Sequence, residues 1–184
     1  MDRLVAAVLL LIVAPVLLIA ALAVRVESPG PVLFRQVRVG WREQPFDILK
    51  LRSMHVDPMR VDEQTRAGSK GVTKVGALIR RFKIDEIPQL FNVLWGDMAM
   101  IGPRPCLPDL LAEMDEVAKR RFDVRPGLTG LAQVSGNIEL TWQQRWLYDV
   151  QYVERASFAL DLKIFVRTIA VVLLGERRTR RAPS

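Results

Sequence analysis

The chain has 184 residues, which suits one domain with a hydrophobic core and a short appendage. Its 27 lysines and arginines outnumber 20 aspartates and glutamates, and the formal net charge of +7 favours nucleic acid, anionic lipid or a phosphorylated substrate as partner. One cysteine and one histidine exclude an internal disulfide, a Cys/His zinc site and a histidine-based triad, so carboxylates must carry any covalent or acid–base chemistry.

Residues 4–24 form an uninterrupted apolar run at the N-terminus. As a helix this run is about 31 Å long, which matches the hydrocarbon core of a membrane. Pro15 lies near its middle and predicts a kink at Ala14–Pro15. Two arrangements then fit equally well: a kinked spanning helix, or a re-entrant hairpin whose ends, marked by Arg3 and Arg25, both emerge on the cytoplasmic face. A cleaved signal peptide fits less well, because the run is too long for one.

The remainder of the chain alternates short strands and helices after a turn at 28–31. The patterns predict strands over 32–40, 46–54 and 131–134, a mobile loop over 57–73, and helices over 75–82, 109–122, 142–154 and 160–174. The last helix has an apolar face that is either core or lies in a membrane interface, and the basic tail would contact anionic headgroups.

These elements predict a membrane-associated α/β protein, mostly helical, with a few short strands and amphipathic interfacial helices. We expect a membrane helix over 1–27, a cytoplasmic domain over 28–176 and a basic tail over 177–184.

Two adjacent carboxylates, Asp85 and Glu86, follow the basic run at 80–83. Adjacent acids before a helix are most often caps, and we expect Asp85 at the N-cap of a helix that has Pro88 in its first turn. A carboxylate among cations has two further uses with a phosphate-bearing substrate. It can hold a divalent metal that neutralises the phosphates, or it can attack phosphorus and form an aspartyl phosphate.

Several cations are held by rigid local backbone. Arg104 lies between two prolines, an arrangement that suits bidentate phosphate binding, and Arg125 precedes a Pro-Gly turn. Further candidates are Arg38, Lys50, Arg52 and Arg80. For any one of these residues taken singly, a solvated position on a basic surface is a simpler interpretation than phosphate binding.

Several long motifs occur in one order along nearly the whole chain. They are Ser28-Pro29-Gly30-Pro31-Val32 with Phe34-Arg35-Gln36, Lys50–Met54, Asp85–Leu94 with Gly96-Asp97-Met98, Ile101–Pro105, Arg125–Val134 and Asp161-Leu162-Lys163. With these motifs the chain resembles the small monotopic phosphoglycosyl transferases of the bacterial sugar transferase family, which begin the assembly of surface glycans such as exopolysaccharides.

The resemblance implies a two-step, Mg²⁺-dependent transfer at the cytoplasmic face of the bacterial inner membrane. Asp85 would attack the β-phosphate of a UDP-sugar and expel UMP, and a polyprenyl (undecaprenyl) phosphate would then take the phosphosugar from Asp85. It implies Asp85 as the metal ligand, and Glu86 as the residue that orients the metal or Asp85. The implied substrate-binding residues are Arg80 and Arg104, with Lys50 and Asp149 as weaker candidates. The resemblance also favours the re-entrant arrangement.

Two positions depart from the family's pattern. Ala14 stands where a serine commonly precedes the proline, so a hydroxyl that could bond a freed carbonyl is absent. Asn137 stands where relatives commonly have an arginine, which leaves the sugar and the glycan pathway open.

Two other functions remain as alternatives: a membrane-tethered basic protein that binds without catalysis, and a phosphohydrolase that uses water as acceptor. Nucleic acid is not expected as a partner, because aromatic residues do not alternate with the cations. Membrane lipids are expected as partners, and a dimer is one option for the oligomeric state.

Overall fold

A computed structural model of the chain describes residues 1–55 and 71–174. The protein is a mixed, mostly helical structure, as expected. The α-helices are α1 Asp2–Glu27, α2 Lys74–Arg81, α3 Gln89–Trp95, α4 Glu116–Lys119, α5 Leu131–Val134, α6 Trp142–Arg155 and α7 Phe158–Leu174. The strands are β1 Leu33–Val39, β2 Pro45–Leu51, β3 Ala99–Ile101 and β4 Gly127–Thr129. Most of the predicted loop 57–73 and the whole predicted tail 177–184 lie outside the described residues, as does the predicted domain end at 176.

The strands form two small sheets. Strands β1 and β2 make an antiparallel hairpin in which Leu33 pairs with Leu51, and both strands were predicted. Strands β3 and β4 pair in parallel. The prediction of a strand over 131–134 was wrong, because that segment is helix α5 and the strand lies just before it. A Cβ atom on Gly127 or Gly130 would overlap the backbone of Gly102, so glycine permits the close approach that pairs β4 with β3 instead.

The helices predicted over 75–82, 142–154 and 160–174 are present as α2, α6 and α7. The continuous helix predicted over 109–122 was wrong. Two 3-10 segments, Pro108–Glu113 and Arg120–Asp123, flank the short helix α4. The break falls at Met114, which is extended, and at Asp115, whose side chain accepts a hydrogen bond from Ala118 N and starts α4 anew.

Helix α1 is the one helix in the described part of the chain that is long and apolar enough to cross a membrane, with a mean hydropathy of 3.1 over its most apolar 18-residue window. It continues through Pro15 without a break. The kink predicted at Ala14–Pro15 therefore stays a prediction.

One face of α1 packs against the rest of the protein along its length. Near its start, Ala6 is fully buried in a cluster with Leu90 and Val93 of α3. Near its end, Ala20 and Val24 pack against a cluster that includes residues of β2 and α2. The helix therefore lies along the domain and does not project away from it.

Polar bonds fix both ends of α1 to the same domain. At the N-terminus, Asp2 accepts a hydrogen bond from Met100 N at 3.2 Å, and Arg3 donates to Trp95 O at 3.2 Å. At the C-terminus, the two carboxylate oxygens of Glu27 accept from the first two backbone amides of α2, at 2.7 and 2.8 Å. These bonds cap the N-terminus of α2.

Arg52 is a structural residue at this junction. Its buried guanidinium donates to Ser28 O at 2.6 Å and to Pro29 O at 2.7 Å, in the turn that follows α1. It therefore joins β2 to the end of the apolar helix and does not face the acidic pair.

Asn92 on α3 braces the strand that carries Lys50. The side chain is fully buried; it accepts from Leu49 N at 3.1 Å and donates to Asp47 O at 2.7 Å. We expect Asn92→Ala to destabilise the protein by about 2–3 kcal/mol, because it leaves buried peptide groups without partners. Thermal unfolding in detergent measures this loss. The exposed Gln143→Ala variant serves as control, and an equal melting temperature for both variants would contradict the prediction.

Candidate active site

Asp85 and Glu86 lie in the single 3-10 turn Ile84–Glu86, between α2 and α3. Lys83 enters this turn in the left-handed conformation, with φ of 58°. The prediction of Asp85 as the N-cap of α3 was wrong, because that helix begins at Gln89 and Pro88 holds the N-cap position. Backbone bonds already close the turn: the amides of Glu86 and Ile87 donate to carbonyls three residues earlier. The Asp85 side chain is therefore not used as a cap.

Glu86 is the centre of an ion-pair network. Its Oε1 lies 2.9 Å from Lys50 Nζ and 2.6 Å from Arg104 Nη2, and its side chain is 14% exposed. Burial alone raises the pKa of Glu86, but the charges of Arg104 and Lys50 outweigh it and hold the pKa well below its usual range. Glu86 is thus ionised, and it fixes two cations beside Asp85.

Asp85 differs from Glu86 in the direction of its pKa shift. It is 8% exposed, and burial, together with the adjacent charge of Glu86, raises its pKa against the lowering effect of Lys50, Lys83 and Arg80. Within the described residues, its carboxylate oxygens accept no hydrogen bond from a protein donor. A buried carboxylate without such bonds keeps its lone pairs available for a metal ion or for attack on an electrophile.

Further cations approach the pair from two sides. Arg80 of α2 is fixed by a 2.7 Å hydrogen bond from its Nε to Ser53 Oγ. The strand register places Arg38 on the same face of the β1–β2 hairpin as Lys50. Burial and the nearby charge of Arg104 lower the pKa of Arg38 to about 10, and it donates to Gln36 Oε1 at 2.6 Å. Among the described residues, several cations therefore surround the Asp85 carboxylate.

The structure brings together most residues predicted for the site: Asp85, Glu86, Lys50, Arg80 and Arg104. Arg125 lies elsewhere. Its Nε donates to Gly96 O at 2.8 Å, and its guanidinium lies 4.7 Å from the ring centroid of Trp41.

Asp149 on α6 is buried beneath the site, 2% exposed, and its Oδ2 lies 2.9 Å from Arg121 Nη2. Burial raises the pKa of Asp149 to about 6, although Arg121 lowers it. Sequence reasoning missed Arg121, which lies in the helix predicted over 109–122. A signal was present: Arg121 follows Met114 by seven residues and Ala118 by three, spacings that place it on their apolar face in a helix.

The geometry is that of an enzyme site for a phosphate-bearing substrate, carried beside an apolar helix that can enter a membrane. The chain belongs to the bacterial sugar transferase family, whose model matches residues 1–175.

Sequence identity to curated relatives supports this family membership. A UDP-glucose:undecaprenyl-phosphate glucose-1-phosphate transferase of Caulobacter vibrioides is 46% identical, over 94% of this chain and 68% of its own length. A sugar transferase of Bacillus subtilis whose activity is not characterised is 42% identical, over 93% of this chain and 85% of its own. An Escherichia coli protein named as the same glucose-1-phosphate transferase is 38% identical over 91% of this chain and 38% of its own length.

Proposed function

We propose that this protein transfers a sugar-1-phosphate from a UDP-sugar to undecaprenyl phosphate, with release of UMP, as the first membrane step of glycan assembly. The names of the relatives support the reaction and both substrates. The observation that carries the mechanism is the contrast between the two carboxylates. Glu86 forms ion pairs with Lys50 and Arg104, whereas Asp85 is buried near cations and accepts no hydrogen bond from the described residues.

In the first step, a carboxylate oxygen of Asp85 attacks the β-phosphorus of the donor. The bond between that phosphorus and the bridging oxygen breaks, and UMP leaves with the oxygen, which gives a phosphosugar-aspartate. In the second step, a phosphate oxygen of the acceptor lipid attacks the same phosphorus and breaks its bond to Asp85. The products are an undecaprenyl-diphosphate-sugar and a restored carboxylate, so one nucleophile serves both steps.

Phosphoryl transfer depends mainly on position and charge neutralisation. Arg104, Lys50 and Arg80 are proposed to contact the donor phosphates, and Glu86 holds the first two of these cations in place. Glu86 therefore acts by orienting cations, and Asp85 is the residue that touches the reacting phosphorus.

Mg²⁺ is proposed to bind with the donor. No group of three potential ligand side chains occurs among the described residues, but Mg²⁺ is commonly held by one or two carboxylates together with substrate phosphates. The uncommitted carboxylate of Asp85 fits that requirement, since both oxygens lack protein donors in the described part of the chain. When bound, the ion neutralises phosphate charge.

Helix α1 is proposed to enter the membrane and return to the cytoplasmic face, since both of its ends bond the catalytic domain. A 26-residue helix is about 39 Å long, so a straight crossing would leave Asp2 and Glu27 on opposite faces. Asp2 and Glu27 both bond the same domain, and that domain can lie on only one face of the membrane. Helix α7 is proposed to lie in the interface, because Phe158, Val166 and Leu173 expose more than half of their surface.

Cysteine labelling tests this topology. In a Cys106→Ser background, Asp2→Cys and Glu113→Cys should react with an impermeant maleimide from the cytoplasmic face in inside-out vesicles. Leu11→Cys should react from neither face, because the middle of α1 lies at the greatest depth in the membrane. Labelling of Asp2→Cys from the periplasmic face alone would establish a spanning helix instead.

The reaction is tested by UMP release from a panel of UDP-sugars by the detergent-purified protein, with Mg²⁺, in the presence and absence of undecaprenyl phosphate. We expect multiple turnovers with one donor only when lipid is present. Without lipid, intact-protein mass spectrometry should detect the added mass of one sugar phosphate. Lipid-independent turnover would identify a phosphohydrolase, and no UMP from any donor would favour a protein that binds without catalysis.

A further inference from the structure

The backbone that presents Arg104 is held at three carbonyl oxygens. Backbone amides of β4 and β1 donate to the carbonyls of Pro103 and Cys106, each at 2.9 Å. The carbonyl of Arg104, between them, is held by a side chain, since Arg121 Nη2 donates to it at 2.5 Å. The position of Arg121 therefore influences the direction in which the Arg104 side chain extends toward Glu86.

Arg121 is fixed in turn by Asp149. The two side chains are 4% and 2% exposed, and the nitrogen that bonds the Arg104 carbonyl is also the nitrogen that lies 2.9 Å from Asp149 Oδ2. The charge of Asp149 therefore attracts the same nitrogen that donates its hydrogen bond to the Arg104 carbonyl. Asp149 thus sets the orientation of the group that holds Arg104.

We infer that Asp149 is a positioning residue: through Arg121 it fixes the backbone of Arg104, and so the place where the Arg104 guanidinium meets Glu86 and the donor's diphosphate. The statement about the donor rests on the proposed function, whereas the statement about Arg104 does not. Asp149 does this without touching the substrate, because it is 2% exposed and Arg121 lies between it and Arg104.

Stability alone does not account for this buried pair. Withdrawal of two charges from water costs several kcal/mol per ion, and apolar residues of similar volume often serve as well. An exposed pair, Arg120 with Glu154 at 2.7 Å, already joins the same two elements, Arg120–Asp123 and α6. What the buried pair adds is the bond to the Arg104 carbonyl, and a misplacement of about 1 Å in a catalytic site can cost about 100-fold in rate.

The neighbouring pair provides a matched control. Asp149→Asn and Glu154→Gln each remove one carboxylate charge from α6, but only the first is connected to Arg104. The rate of Arg104 modification by phenylglyoxal, measured on peptides by mass spectrometry, reports how firmly Glu86 holds the guanidinium. We expect it to rise several-fold in Asp149→Asn and to stay within about twofold of wild type in Glu154→Gln.

Steady-state UMP release gives the second readout. Asp149→Asn should lower kcat/KM by about 10- to 100-fold, mainly through kcat, and Glu154→Gln should leave it unchanged. In an Arg104→Ala background, the Asp149→Asn substitution should lower kcat/KM little further, because its effect on the reaction depends on the Arg104 side chain.

Asp149→Asn leaves Arg121 with a buried charge and can fail to fold. The double variant Arg121→Met with Asp149→Leu leaves no charge unpaired, yet it removes the bond to the Arg104 carbonyl, so the same rise in Arg104 modification is expected. An unchanged rate of Arg104 modification in a folded variant would overturn the inference. It would also be overturned if Asp149→Asn lowered kcat/KM by the same factor in the wild-type and Arg104→Ala backgrounds. If wild type releases no UMP, the proposed function fails, and the modification rates still decide the role of Asp149.

Discussion

The Asp85→Asn variant is expected to release no UMP from the donor that wild type uses, a loss of at least about 10⁴-fold. The amide has the size of the carboxylate but lacks the nucleophilic oxygen that the phosphosugar-aspartate requires. UMP release measures the loss of activity. The mass of the intact protein after incubation with the donor measures the loss of the phosphosugar-aspartate. The exposed Asp109→Asn variant is the control for loss of one negative charge, and it should keep full activity.

The same variant should be as stable as wild type or more stable, which separates loss of chemistry from loss of fold. Because the folded-state pKa of Asp85 is raised, its ionised form is less favourable in the folded protein than in the unfolded chain. Above that pKa, ionisation of Asp85 therefore costs stability, and asparagine removes the cost. An inactive variant that melts well below wild type would show a structural role for Asp85 and leave its role as nucleophile unsupported.

Glu86→Gln is expected to lower kcat/KM by about 10²- to 10³-fold, as when a group that stabilises transition-state charge is lost. The substitution leaves Lys50 and Arg104 without the anion that fixes them. It should also destabilise the protein by about 1–3 kcal/mol, less than for a fully buried pair because the Arg104 side chain is 39% exposed. The measurements are UMP release kinetics and unfolding in detergent.

The pH dependence of stability gives an independent check on Glu86. Its pKa is depressed in the folded protein, so its contribution is present above the unfolded-state pKa and is lost as the pH falls through the folded-state value. Without Mg²⁺, the melting temperatures of wild type and Glu86→Gln should therefore converge as the pH is lowered. A constant difference across that range would contradict the assignment, and Glu116→Gln, from an exposed pair, serves as control.

The apolar helix α1 and the turn Ile84–Glu86 belong to one packed unit. Helix α1 contacts α3 near its start, and through Glu27 it caps α2 at its end. The turn Ile84–Glu86, which carries Asp85, connects these same two helices. It is therefore joined to α1 through both of its neighbouring helices.

Local sequence signals were sufficient for much of the architecture. The apolar run at 4–24, the alternation in β1 and β2, and the amphipathic periods of α2, α6 and α7 each depend on residues within one element. The candidate site followed from residue types, because a chain with one histidine and one cysteine had carboxylates and cations left for phosphate chemistry. Family resemblance supplied the order of the steps.

What the sequence determined by itself was therefore the elements with a regular period and the chemical identity of the acidic pair. The tertiary structure decided how the two acids differ: Asp85 and Glu86 are adjacent in sequence, yet in the described part of the chain Lys50 and Arg104, from distant elements, form ion pairs with Glu86 and not with Asp85. It also decided that Gly127, and not residues 131–134, pairs with β3, and that Arg121 is buried against Asp149. Each of these outcomes depends on contacts between residues far apart in the chain, which no local period encodes.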